Sequence, residues 1–210
     1  DRQENSAWRP IPEDRDWAFS SIDGVFGAVA RWLHPSYVGF LAQSPPVRRL
    51  AISGVRVDQA VLNQLEREAF VRIAGELQAR LTDSVLADAI GALPAEYLPL
   101  TREQLTAALR LRRNSLARVS NDYYRLLARE IHLHGIVGAP DTIEFIRLSD
   151  ERVRVRIRTG AAGVLRFERL IDGRETREVR VFWDGNEDEV IGGENLPFRL
   201  TIAEEVPGGG

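Results

Sequence analysis

The sequence predicts an α+β fold with helices first and an antiparallel sheet second. Three observations predict it. Apolar residues up to about Gly135 recur at the 3.6-residue period of buried helix faces. After Gly138 the period changes to 2, the alternation of half-buried strands. Turn residues then punctuate the chain at short intervals, at Ser149-Asp150, Gly160, Gly163, Asp172-Gly173, Asp184-Gly185-Asn186 and Gly192-Gly193. Segregated helices and strands give a mostly helical portion over 1–135 and a β domain with Gly/Asp-rich turns over 136–210.

The helices follow in order. Residues 1–21 are polar and turn-rich. Ile22, Val25, Phe26, Val29, Ala30 and Leu33 form one apolar face, and Pro35 stops that helix. A long stripe from Val57 to Leu81 predicts one continuous helix capped by Asp58. Thr82-Asp83 opens a shorter helix that ends near Leu93, before Pro94. Thr101-Arg-Glu-Gln104 reads as a capping box, in which the hydroxyl and the amide each satisfy an orphan backbone N–H; it opens a helix to about Val119. A last helix runs from Ser120 or Asn121 through Ile131 and is stopped by Gly135. The predicted strands are 142–148, 152–158, 164–170, 176–183, 188–191 and 198–202.

Composition excludes several chemistries. All 28 basic residues are Arg, with no Lys, Cys or Met. That removes phosphate-loop and Schiff-base lysines, thiol nucleophiles, disulfides and cysteine-ligated metals. A chain without Met is expected to be a piece of something longer. The net charge of −3 offers no basic field for nucleic acid. No apolar run reaches the roughly 18 residues of a membrane-spanning helix. The ribbon Arg152-Val-Arg-Val-Arg-Ile-Arg158 reads as a solvated strand face answered by Glu168, Glu175 and Glu178, in preference to an anion site.

Three segments are candidates for chemistry. Asp14-Arg15-Asp16 follows Pro10 and Pro12, which keep the approach extended. A carboxylate at the end of such a segment can hold Mg²⁺ against phosphate oxygens, although on spacing alone a charged surface turn is the stronger reading. His132-Leu-His134 places two imidazoles at i, i+2, on one face of a strand but about 200° apart on a helix. Lying where a helix is predicted to end, they read as capping or packing groups. The stretch Asp184-Gly-Asn-Glu-Asp-Glu-Val-Ile-Gly-Gly193 offers Asp184, Asn186 and Asp188 as Ca²⁺ ligands, with an ordinary acidic hairpin turn as the stronger reading.

The run Ile11-Pro12-x-Asp14-x-Asp16-x-x-Phe19 resembles the metal-binding segment of CotH-type atypical protein kinases. The stretch from Trp8 to Gly24 resembles large bacterial envelope proteins that carry this kinase-like module. The resemblance continues through Leu77–Ser84, Leu93–Tyr97 and the Arg-rich helix of Leu109–Leu116. It implies that the helical part is the remainder of a kinase-type C-lobe. It implies a cofactor, Mg²⁺ or Mn²⁺ with ATP, with Asp14 bridging metal and nucleotide, Asp16 as a secondary ligand, and Trp8 and Phe19 packing the loop. Trp17 and Ala18 depart from the family's pattern. The family's catalytic loop and its nucleotide lysine have no counterpart in the chain, so no catalytic residue is assigned and the 210 residues are expected to be inactive alone.

The resembled proteins also carry His-Gly at the helix-to-sheet junction, here His134-Gly135, implying a structural role there. Their Gly/Asp-rich turns resemble β-roll calcium turns, although Glu187 stands where Gly is expected. Pro207-Gly-Gly-Gly210 resembles the start of a further turn. Such parents often join a metallophosphoesterase domain to an outer-membrane β-barrel. The implied partners are therefore other domains of the same chain, and the implied location is the periplasm or outer membrane. The resemblance leaves two readings open, a kinase-like portion of a phosphotransferase and a non-catalytic adaptor in a protein whose activity is phosphoester hydrolysis.

Overall fold

The computed structural model describes residues 29, 32–33, 40, 44–52, 54–62, 65–134, 140–183 and 188–204. The chain divides into two compact units, 1–41 and 42–210. In the first, Val29, Trp32 and Leu33 are helical, as the spacing predicts, and exposed. The second unit contains six described helices followed by seven strands, an α+β arrangement. The change from helix to strand lies inside it.

The helices are α1 (Val47–Leu50), α2 (Val55–Val61), α3 (Arg67–Arg80), α4 (Asp83–Gly91), α5 (Leu98–Asn114) and α6 (Leu116–Ala128). Four predicted helix boundaries move. The single helix expected over 57–81 is two, α2 and α3, separated by a non-helical stretch before Arg67. The capping box at Thr101 does not form. Helix α5 already starts at Leu98, with Pro99 in its first turn where a missing N–H is harmless. The Thr101 hydroxyl donates back to the Tyr97 carbonyl at 2.8 Å. At the other end, Ser115 closes α5 and opens α6. Helix α4 begins as predicted, with the Thr82 hydroxyl accepting from the Val85 N–H at 3.3 Å.

The last helix ends at Ala128, and Glu130–His134 is strand β1. The remaining strands are β2 (Asp141–Arg147), β3 (Arg152–Thr159), β4 (Val164–Asp172), β5 (Glu178–Trp183), β6 (Glu189–Ile191) and β7 (Arg199–Glu204). They form two sheets, ordered β4-β3-β2-β6 and β1-β5-β7. The hairpins β2–β3 and β3–β4 are antiparallel, as expected. The four-stranded sheet is nevertheless mixed, because β2 pairs β6 in parallel, and the three-stranded sheet is parallel throughout, β1 pairing β5 and β5 pairing β7.

One apolar layer serves both sheets. Ile131 and Leu133 of β1 and Val179 and Val181 of β5 share it with Ile143, Phe145, Val153, Val155 and Ile171. The alternation of buried and outward residues along β2 and β3 produces this layer. The helices are fastened to the sheets by polar contacts. The Glu66 carboxylate accepts from the Leu170 N–H at 3.0 Å, and Gln59 Nε2 donates to the Glu130 carbonyl at 3.3 Å. Arg67 donates to both Asn121 and Glu175, and its guanidinium lies 4.9 Å from the centre of the Tyr124 ring. Among the described residues, no helix is long and apolar enough to cross a membrane.

Candidate functional site

Strand parity puts the polar side chains of β1, β5 and β7 on the face of the parallel sheet opposite the apolar layer. In register across the strands, Glu130 meets Glu178 and Arg199, His132 meets Arg180 and Thr201, and His134 meets Phe182 and Ala203. The two imidazoles therefore share a face, because β1 is a strand and not the end of a helix.

Charges knit this face together. His132 Nε2 lies 2.8 Å from Glu130 Oε1, and Arg180 Nε lies 3.1 Å from the same oxygen. Arg180 Nε is also 3.0 Å from Glu178 Oε1, which accepts from the Thr201 hydroxyl at 2.9 Å. The Arg180 guanidinium, helped by the Thr201 hydroxyl, holds the Glu178 carboxyl below the usual carboxylate range. His134 stacks on Phe182, with centroids 4.9 Å apart and planes 11° apart. Arg180 thus bridges two carboxylates that parallel pairing sets side by side, and both histidines are used in lateral contacts.

A second charged feature lies where the helices meet β4. Arg169 is 4% exposed and points to the core side, in register with the fully buried Val155. The Tyr124 hydroxyl accepts from it, and the Glu66 carboxylate supports its charge against burial, which lowers its proton affinity. This cluster, with Arg67 and Glu175, consumes its charges in joining helix to sheet.

The predicted site residues distribute as follows. Trp8, Asp14, Asp16, Phe19, Gly135, Asp184 and Asn186 lie outside the described residues. Asp188 is described, and its Oδ1 accepts from the Asp141 N–H at 2.9 Å, so it caps the start of β2. Among the described residues, no group of three or more His, Asp or Glu side chains could hold a metal ion. The Arg ribbon of β3 is an outward strand face, with Arg156 paired to Glu168 and Arg158 to Glu144 at 3.6 Å. Sequence reasoning missed Glu66, Arg67, Asp141 and Arg169. Arg169 had a legible signal, since it shares the period-2 phase of Phe167 and Ile171.

No family model, curated protein or solved structure matches the chain.

Proposed function

We propose that residues 42–210 are a connecting module of a larger bacterial cell-envelope protein, a structural piece that joins domains of one chain. The observation that carries this reading is the use made of the charged side chains. Arg67, Glu175, Glu66 and Arg169 fasten helices to strands, and Glu130, Arg180 and Glu178 tie the parallel strands to one another. Such groups stabilise a fixed geometry, which a spacer between domains requires. The envelope setting, and the neighbouring phosphoesterase and barrel domains, rest on the resemblance alone.

A second reading is carried by the Pro-flanked Asp14-Arg15-Asp16. In it the chain contributes Mg²⁺–nucleotide carboxylates to a kinase-like site whose base and lysine come from elsewhere. Thermal unfolding with Mg²⁺ or Mn²⁺ and ATP separates the two. The connecting-module reading expects no shift in Tm, and no phosphotransfer by residues 1–210. A Tm rise that requires both metal and ATP, and is lost in Asp14→Ala, overturns it in favour of the second reading.

A further inference from the structure

Helices α1, α2, α3 and α6 border a groove of about 380 Å³. Its lining is mostly apolar. Leu50 of α1, Ile73 and Leu77 of α3, and Leu116 and Val119 of α6 all contribute to it. Leu50 is 53% exposed, Ile73 49% and Leu77 45%, so these apolar side chains stand open to solvent. The small residues Ala51 and Ala74 also line the groove and are buried, which leaves space that longer side chains would fill.

The polar side chains lining it are Asp58, Ser120 and Tyr123. Two of them have spent their protons within the fold. The Ser120 hydroxyl donates to the Phe70 carbonyl at 2.9 Å. The Tyr123 hydroxyl donates to Asp58 Oδ2, and its ring is held edge-on by Phe70, with centroids 6.3 Å apart. Burial first, then the bond to Asp58, pushes the Tyr123 hydroxyl up, so the phenol keeps its proton and remains a donor. A neutral donor leaves the charge of Asp58 in place. It also takes only one of the roughly four hydrogen bonds that a carboxylate can accept.

Asp58 is half-buried, and among the described residues no cation lies within ion-pair distance of it. The other half-buried carboxylates of the module differ in this respect. Glu175 holds Arg67, and Glu130 and Glu178 share Arg180. A carboxylate drawn out of water beside apolar surface is ordinarily paired, because its desolvation is otherwise unanswered.

We propose that this groove binds a small organic cation, an ammonium or guanidinium carried on an apolar body. Its charged end sits on Asp58, and its body lies against Leu50, Ile73 and Leu77. The volume falls within the roughly 300–1,000 Å³ of small-molecule sites, whose make-up is likewise an apolar lining with a few convergent polar groups. The sign of the ligand follows from Asp58. An anion would be repelled, and a neutral apolar body would desolvate the carboxylate further without pairing it. The inference goes beyond the connecting-module reading, which makes no use of Asp58, and is tested separately from it.

The test compares three probes of one shape on the full chain at neutral pH: phenethylamine as its ammonium ion, phenethyl alcohol and phenylacetate. Binding is followed by methyl NMR at Leu50, Ile73, Leu77 and Val119. The ammonium ion is expected to shift these methyls with an affinity at least about tenfold above that of the alcohol, and phenylacetate to shift none. Asp58→Asn keeps an oxygen for the Tyr123 hydroxyl and removes the charge. It is expected to bring the ammonium ion down to the affinity of the alcohol. Equal affinities for the ammonium ion and the alcohol overturn the proposal. So do ammonium-induced shifts that survive unchanged in Asp58→Asn, or methyls that do not respond to the ammonium ion at millimolar concentration. The comparison on the unaltered chain decides by itself if the variant fails to fold.

Discussion

The Asp188 carboxylate accepts a hydrogen bond from the backbone N–H of Asp141, joining the starts of the parallel strands β2 and β6 across 47 residues of chain. Asp141 is almost fully buried, and its own carboxylate accepts from the Thr159 hydroxyl at 2.6 Å. A buried donor that loses its acceptor costs its full desolvation penalty. Asp188→Ala is therefore expected to destabilise the chain by about 1–3 kcal/mol in urea unfolding. Asp188→Asn keeps an oxygen acceptor and is expected to lose less. A Ca²⁺-dependent rise in Tm that Asp188→Asn abolishes would assign this residue to a cation instead.

The Arg67–Glu175 pair spans the joint between helix and sheet, and both side chains are mostly buried. Arg67 also reaches Asn121 and covers the Tyr124 ring, so its truncation removes packing as well as charge. A double-mutant cycle of Arg67→Ala and Glu175→Ala is expected to give a coupling energy of about 0.5–3 kcal/mol. Additive single effects would show that the pair does not hold the joint.

Much of the fold was legible, and the misreadings have physical causes. Period 2 identified the strands from Thr142 onward but carries no information on strand direction, so Val179 and Val181 disclosed an inward face and not a parallel partner. The strand β1 was legible too. Ile131 and Leu133 alternate with Glu130, His132 and His134, but Ile131 also continues the helical spacing of Tyr124 and Leu127. The break before Arg67 had no sequence punctuation, since Leu62, Leu65, Phe70 and Ile73 keep a helical stripe. What breaks it is tertiary, with Glu66 bonded to β4 and Arg67 to Glu175. The acid motif at Asp14 and Asp16 was conspicuous in sequence, whereas Glu66, Arg67 and Arg169 acquire their roles only from residues far along the chain.

Acid is expected to weaken the turn after β4. Arg174 grips Asp172 with Nη2 at 2.6 Å and Nε at 2.9 Å, and the Arg174 N–H adds a third contact at 3.0 Å. The Arg174 side chain first, then its backbone N–H, pulls the Asp172 carboxyl down to about 2. A folded-state value below the unfolded one gives a stabilisation that is complete above the ordinary carboxylate range. It is lost as pH falls from about 4 toward about 2. Arg174 is well exposed, so solvent and salt screen the effect. Carboxyl-carbon NMR titration checks the midpoint, which Arg174→Ala is expected to move upward toward the usual range. An unmoved midpoint would refute the pairing.

Gly192 ends β6 with a φ of +72°, and a Cβ there would meet the Phe145 carbonyl oxygen at 2.3 Å. Two penalties coincide, the left-handed backbone and a collision with main chain that cannot swing aside. Gly192→Ala is expected to cost about 1–3 kcal/mol or more, and to loosen the pairing of β6 with β2. Gly75 is the opposite case. It lies inside α3, and an added methyl meets nothing within 4 Å. Gly75→Ala is expected to stabilise by about 0.5–1 kcal/mol, by restricting the unfolded chain and raising helix propensity. Urea unfolding of the two variants side by side checks both signs. A neutral Gly192→Ala would mean that the end of β6 can shift off β2, against the close approach of Gly192 to the Phe145 carbonyl.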